Sequence, residues 1–143
     1  GLLLAGGAAG DFSTMSFEER RTVTEAVIEQ AAGRIPVAMG AMTTNTRELV
    51  ELARTAETLG ADYIQVSPPF YFNHTGEDFL EYVRAASDAA DVGIIIYNTY
   101  WTSTGVTADL GERLADGHGS SPTLPSIGKC GAALFRYGSG CAS

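Results

Sequence analysis

Apolar runs typical of buried strands begin near residues 2, 35, 63 and 93, so the chain repeats at intervals of roughly thirty residues. That spacing is the length of one strand, one helix and the turns between them, the unit from which parallel sheets are built. The predicted strands cover residues 2–5, 35–39, 63–66 and 93–97. Each ends in a segment rich in glycine, proline or hydroxyl groups, and such segments meet at one edge of a parallel sheet. The repeat therefore predicts an α/β fold.

Amphipathic helices fill the intervals between these strands. Ser16, Asn45 and Thr75 each precede such a segment and have an acidic residue three positions further on, an arrangement that begins a helix. The first helix is predicted over residues 17–32, and a short fourth helix over residues 108–114. This alternation fits a stretch of a (β/α)8 TIM barrel better than an open two-faced sheet, although periodicity alone allows both. The predicted buried face of the first helix consists of Val23, Ala26, Val27 and Ala31.

The charge balance excludes several classes of partner. The chain has 143 residues, of which 17 are acidic and 9 basic, for a formal net charge of −8. No basic stripe is available to neutralise a phosphate backbone, so we expect no nucleic-acid partner. The apolar runs are far shorter than the ~20 residues of a membrane span, and no signal peptide is visible. These features predict a soluble, cytoplasmic protein that does not bind a membrane.

The composition changes after residue 116. Residues 117–143 contain no acidic residue but six glycines and five serines, and they show no helical stripe. We therefore predict a partial barrel of βα units over residues 1–116 and an irregular tail over residues 117–143, which is one further strand or a frame-shifted end. The chain opens on Gly1 and passes at once into an apolar run, which favours the interpretation that it is a fragment.

Four short motifs occur along the chain in a fixed order. They are Gly-Ala-Ala-Gly-Asp at residues 7–11, the strand at 35–40, Pro-Pro-Phe-Tyr-Phe at 68–72 and Ile-Tyr-Asn at 96–98. Together they resemble the Gly-Thr-Thr-Gly-Glu loop, third strand, Pro-Pro-Tyr-Tyr-Phe segment and Tyr-Asn strand end of the dihydrodipicolinate synthase / N-acetylneuraminate lyase family. The resemblance spans residues 1 to about 116. It implies barrel strands two to about six of a pyruvate-type class I aldolase.

The resemblance assigns catalytic roles to two residues. Tyr97 leaves a buried strand where the family has a tyrosine that passes protons between the Schiff base and the substrate, and a phenol can both donate and accept. Composition alone also allows Tyr97 to be an ordinary core aromatic. Lys129 is the only lysine, and Ile127-Gly128-Lys129 resembles the family's Gly-Ile-Lys, which carries the Schiff-base lysine. An exposed tail lysine is an equal alternative, because the order of Gly and Ile differs.

Four further residues are candidates for substrate binding. By the resemblance, the turn of Ala8, Ala9 and Gly10 would bring backbone amides to a substrate carboxylate, since small side chains permit close approach. Ala8 and Ala9 stand where the family usually has threonines, so both hydroxyls are missing. Tyr71 occupies the position of a tyrosine that in some members reaches into a neighbouring subunit's site. A structural role in an aromatic cluster with Phe70 and Phe72 is an equal alternative.

The resemblance implies a lyase that joins pyruvate or a related 2-oxo acid to an aldehyde, or releases it, without metal or organic cofactor. Residues 99–104 contain no cation, whereas family synthases often carry an arginine there, so we expect an enzyme other than dihydrodipicolinate synthase itself. Tyr100 and Trp101 favour a neutral or aromatic aldehyde. The resemblance implies a homo-oligomer, commonly a tetramer. Two alternatives stay open: a truncated or non-catalytic relative, and an unrelated enzyme that binds phosphate at the glycine turn.

Overall fold

The computed structural model describes residues 1–98 and 105–116, in which helices alternate with the strands of one parallel sheet. The strands lie side by side in sequence order and are β1 (Leu3–Ala5), β2 (Val37–Gly40), β3 (Tyr63–Val66) and β4 (Gly93–Ile96). The helices are α1 (Phe17–Ala31), α2 (Thr46–Leu59), α3 (Gly76–Ala89) and α4 (Ala108–Asp116). The four predicted strands and their parallel pairing are confirmed. Residues 99–104 and the predicted tail at 117–143 lie outside the described residues.

The predicted capping residues begin the helices. The Ser16 amide donates to Glu19 Oε2 at 2.7 Å, while the Ser16 hydroxyl accepts from the Glu19 amide, which closes a capping box on α1. Thr75 and Asp78 form the same box on α3. Hydrogen bonds from the Ser16 backbone and side chain lower the pKa of the Glu19 carboxyl, so this cap is complete at neutral pH.

The sheet has two distinct faces because side chains alternate along each strand. One face packs against α2 and α3 and contributes Met39, Ile64 and Ile94 to a core in which each is at most 2% exposed. On the other face, Gln65 is paired in register with Gly40 on one side and Ile95 on the other. We call this second surface the inner face. The inner face extends to the carboxyl ends of the strands, where the loops meet.

The predicted buried face of α1 is largely wrong. Of its members only Ala31 is buried, whereas Val23 and Val27 are half-buried and Ala26 is exposed. They line an open apolar groove of about 640 Å³ with Leu3 and Ile35. The groove lies beside β1, the edge strand of the described sheet, so no further strand covers it there. α1 instead buries its polar residues Arg20 and Thr24 against the loops and strands.

Candidate active site

The loops that follow the four strands form the candidate site. After β1, Gly6 adopts a φ of 63°, which a residue without a Cβ does at little cost. The chain then forms a short 3-10 turn, Ala8–Gly10, in which the Gly10 amide donates to the Gly7 carbonyl oxygen at 2.8 Å. We call residues 6–10 the glycine turn. Of the three predicted binding residues in it, Ala8 is half-buried and Ala9 and Gly10 are exposed.

The glycine turn crosses directly over the end of β2 at Gly40. A Cβ atom at Gly40 would lie 2.0 Å from the Gly6 carbonyl oxygen, so no side chain fits there. Gly7 is also enclosed, because its Cβ would lie 2.3 Å from Leu4 Cδ2 and 3.1 Å from Gln65 Oε1. These glycines bring the backbones of two loops into contact.

The buried side chain of Arg20 links the segment after the glycine turn to the loop after β2. Its guanidinium donates to the carbonyl oxygens of Phe12 and Met42, both at 3.1 Å, and lies 5.4 Å from the centre of the Phe12 ring. Phe12 follows the glycine turn, while Met42 belongs to the loop after β2. The side chain is 6% exposed, and none of the ion pairs seen in the described residues involves it. A planar guanidinium suits this link, because its N–H groups can donate to two carbonyl oxygens at once.

Replacing Arg20 with lysine is expected to lower the free energy of unfolding by about 2 kcal/mol, because an ammonium group cannot reach both carbonyl oxygens and a charge-assisted hydrogen bond is lost. Urea denaturation measures the change. Arg21→Lys is the matched control, since Arg21 is exposed and pairs only loosely with Glu18 at 3.7 Å. We expect its effect to stay within about 0.5 kcal/mol. Equal effects of the two substitutions would show that the bridge does not hold the loops.

A hydrogen bond from Tyr82 of α3 holds the loop after β2 in place. The Tyr82 hydroxyl donates to the Thr43 carbonyl oxygen at 2.7 Å, and the Thr43 hydroxyl donates to Glu48 at 2.6 Å. Burial, with the nearby charge of Glu48 as the smaller cause, raises the pKa of Tyr82 above its usual range. Tyr82 is therefore a neutral structural donor at every physiological pH.

Tyr97 leaves β4 at the level of this site. Its amide donates to the Val66 carbonyl oxygen at 2.8 Å, which continues the ladder with β3, and its side chain is half-buried. The next residue, Asn98, is structural: its side-chain amide donates to the Val106 carbonyl oxygen at 2.9 Å and its Oδ1 accepts from the Val106 amide at 3.1 Å. Asn98 thus joins the strand end to the start of the α4 segment. Lys129, the predicted partner of Tyr97, lies outside the described residues.

The structure places Tyr71 on the surface. Its side chain is 77% exposed and packs edge-on against Phe72, which is 75% exposed, with 4.6 Å between ring centres. Phe70 instead packs edge-on against Phe12, with 6.1 Å between ring centres. The predicted three-residue aromatic cluster is therefore divided between an exposed pair and a ring that packs beneath the loops.

Two buried polar groups at the site were not predicted. Ser67 Oγ, in a residue with 0% exposure, and Gln65 Oε1, in a residue with 7% exposure, have no hydrogen-bond partner among the described residues. A sequence signal was present, because polar residues alternate with Ile64 and Val66 in an otherwise apolar strand. In residues 1–98 and 105–116, no three His, Cys, Asp or Glu side chains converge where a metal ion could bind.

The sequence matches the dihydrodipicolinate synthetase family model over residues 1–117, which includes every described residue. The chain belongs to this family. Of its relatives, the 4-hydroxy-tetrahydrodipicolinate synthase of Bradyrhizobium diazoefficiens is 42% identical over 92 residues, which is 64% of this chain and 31% of the relative. The chain thus spans about a third of the length of that curated relative. None of the described helices of this family member is long and apolar enough to cross a membrane.

Solved structures of the family share the fold. The chloride-inhibited dihydrodipicolinate synthase of Acinetobacter baumannii, complexed with pyruvate, superposes with a TM-score of 0.78 at 34% identity, over 80% of this chain and 40% of that one. A catalytic lysine mutant of Ruminococcus gnavus sialic acid aldolase superposes with a TM-score of 0.74 at 33% identity, over 78% of this chain and 37% of that one. The fold of this family member is that of a partial (β/α)8 barrel, as predicted.

Proposed function

We propose that the chain forms part of the active site of a carbon–carbon lyase that binds pyruvate or a related 2-oxo acid as a Schiff base. The observation that carries the proposal is the position of Tyr97, which directly follows β4 and lies beside the end of β3, at the edge where the loops of a family member meet. Active sites of (β/α)8 enzymes lie at this edge. Two relatives support the 2-oxo acid and the lysine: one is complexed with pyruvate, and another is named as a catalytic lysine mutant.

In the proposed reaction a neutral lysine amine attacks the ketone of the 2-oxo acid, and Tyr97 moves protons to and from the oxygen that leaves as water. The Schiff base then withdraws electrons from the neighbouring carbon, which forms or breaks the bond to the aldehyde. The lysine itself is the electron sink, so the proposed reaction uses no metal or organic cofactor. Lys129 is the nucleophile that we propose, because it is the only lysine in the 143 residues.

The glycine turn is the proposed binding site of the substrate carboxylate. Ala8, Ala9 and Gly10 have no side chain beyond a methyl group, so an anion can approach their backbone amides closely. The turn is also held in place, since it packs on Gly40 and Arg20 joins the segment that follows it to the loop after β2. Alanine at positions 8 and 9 provides no hydroxyl for the proton relay.

We further propose that the aldehyde partner is neutral or aromatic. Residues 99–104 contain Tyr100 and Trp101 but no cation that could bind a second carboxylate. The relatives named as 4-hydroxy-tetrahydrodipicolinate synthases favour the other candidate, the synthase reaction itself. Turnover measured with matched aldehydes that differ only in a distal carboxylate separates the two. A preference for the carboxylate-bearing aldehyde would favour the synthase.

The exposed pair Tyr71 and Phe72 is the proposed contact with a second subunit in a homo-oligomer. Large aromatic side chains that are each about three-quarters exposed are common at subunit contacts and uncommon on free surfaces. A homotetramer is the assembly that we propose from the family resemblance. The absence of hydroxyl groups at Ala8 and Ala9 favours the alternative, a truncated or non-catalytic relative.

The test uses a full-length version, meaning a chain that carries residues 1–143 together with the remaining βα units. Incubation with pyruvate and borohydride is expected to yield a stable covalent adduct that intact-mass measurement detects, and Lys129→Ala is expected to abolish it. An adduct that persists in Lys129→Ala would show that another lysine of the full-length version is the nucleophile. No adduct on the unaltered protein would favour the non-catalytic alternative.

A further inference from the structure

The two unpartnered oxygens of Ser67 and Gln65 lie on the inner face of the same strand segment. Gln65 lies in β3 and Ser67 directly follows the strand, and residues two apart along an extended chain project to the same side of the sheet. Ser67 is fully buried and Gln65 nearly so, yet neither Ser67 Oγ nor Gln65 Oε1 finds a partner among the described residues. Leaving such groups without a partner costs free energy, and a ligand or water that binds them would offset that cost.

Extending the register of β3 and β4 by one residue places Ser67 beside Tyr97. Val66 is paired with Ile96 in the parallel register, and the Tyr97 amide donates to the Val66 carbonyl oxygen at 2.8 Å. The next pair along the ladder is therefore Ser67 beside Tyr97. Both follow the alternation that places Gln65 and Ile95 on the inner face, so the two hydroxyl-bearing side chains leave the sheet side by side.

The glycine turn lies next to the Gln65 side chain. A Cβ at Gly7 would lie 3.1 Å from Gln65 Oε1, so the Gln65 side chain reaches the turn one step below Ser67. Ala8 and Ala9 supply no hydroxyl from that side. Ser67 thus carries a buried hydroxyl that makes no hydrogen bond to the described residues.

We propose that Ser67 contacts the substrate in the lyase reaction, an inference that rests on the function proposed above. When the lysine adduct of the 2-oxo acid dehydrates, its C–O bond breaks and the nitrogen lone pair forms the C=N bond. The departing oxygen takes a proton from the Tyr97 hydroxyl and leaves as water, so a protonated Schiff base and a tyrosinate remain. Ser67 keeps its own proton and donates a hydrogen bond to the departing oxygen. It therefore stabilises the charge that develops on that oxygen.

Ser67→Ala in the full-length version tests this role. We expect the rate of borohydride-trapped adduct formation with pyruvate to fall about 100-fold, as for loss of one donor to a developing negative charge. The melting temperature should stay unchanged or rise, because the deleted hydroxyl has no partner to lose. Ser67→Thr keeps the hydroxyl and should recover most of the rate. Ser87→Ala, the same change at a half-buried position on α3, is the matched control and should alter neither quantity.

The outcomes separate the two proposals. An adduct that forms on the unaltered protein and equally fast on Ser67→Ala overturns the role of Ser67 and leaves the lyase function standing. A fall in melting temperature that accompanies the loss of rate, and that Ser67→Thr restores together with the rate, identifies a structural hydroxyl and also overturns it. Absence of any adduct on the unaltered protein overturns the lyase function and this inference with it.

Discussion

Gly40→Ala is expected to destabilise the protein by about 3 kcal/mol or more, because the added methyl would lie 2.0 Å from the Gly6 carbonyl oxygen. Backbone atoms cannot rotate away as a flexible side chain can, so the glycine turn must separate from the end of β2. Urea denaturation would show the change as a lower midpoint. The same separation would displace Ala8–Gly10 from the candidate site, so we expect pyruvate adduct formation to fall even at low temperature, where the protein stays folded.

Gly76→Ala is the matched control for this prediction. Gly76 is the first residue of α3, and a Cβ there would meet only Leu110 side-chain atoms at 3.6 Å, an ordinary contact. Alanine is also the better helix former, so we expect stability to be unchanged or to rise by up to about 1 kcal/mol. A Gly40→Ala protein as stable as Gly76→Ala would mean that the turn does not rest on β2.

Tyr97→Phe is expected to lower the rate of Schiff-base chemistry by about 100- to 10,000-fold, because the proton relay is lost while the aromatic ring remains. The aldehyde is not needed for the measurement. The enamine formed from pyruvate exchanges its methyl protons with solvent, so deuterium incorporation followed by NMR reports the rate directly. The apparent affinity for pyruvate should change little, since the proposed carboxylate contacts lie on the glycine turn.

Tyr63→Phe is the control for Tyr97. Tyr63 is half-buried on the inner face at the opposite end of β3, where its ring covers Gly93. Removing its hydroxyl deletes the same atom on the same face, far along the strand from the loops. Exchange should proceed at the rate of the unaltered protein. Exchange within tenfold of that rate in Tyr97→Phe would rule out Tyr97 as the relay.

The elements were predictable where local signals determine them. Apolar runs and the caps at Ser16, Asn45 and Thr75 predicted the strands and the helix starts, because capping is settled within one turn of chain. The buried face of α1 was predicted wrongly because apolar periodicity does not tell which side of a helix its neighbours cover. Val23 and Val27 face the open side of the edge strand, while Arg20 points inward.

The candidate site was predictable only in part. Motifs along the chain led to the proposed roles of Tyr97 and the glycine turn, since each sits at a strand end that the repeat already predicts. Arg20 and Ser67 were not predicted, because their surroundings depend on tertiary neighbours: Arg20 bridges loops that are 8 and 22 residues away in sequence, and the proposed role of Ser67 rests on its place beside Tyr97. Lys129 remains a prediction, because it lies outside the described residues.

A crystal structure of the full-length version, trapped with pyruvate and borohydride, tests the central claim most directly. The account predicts a reduced adduct on Lys129 at the loop edge of the sheet. Its second carbon should bear the lysine nitrogen, and the Tyr97 hydroxyl should lie within about 3.5 Å of the reacting atoms. The substrate carboxylate should contact the amides of the glycine turn. An adduct at any other place, or one whose surroundings exclude Tyr97 and the glycine turn, would contradict the account.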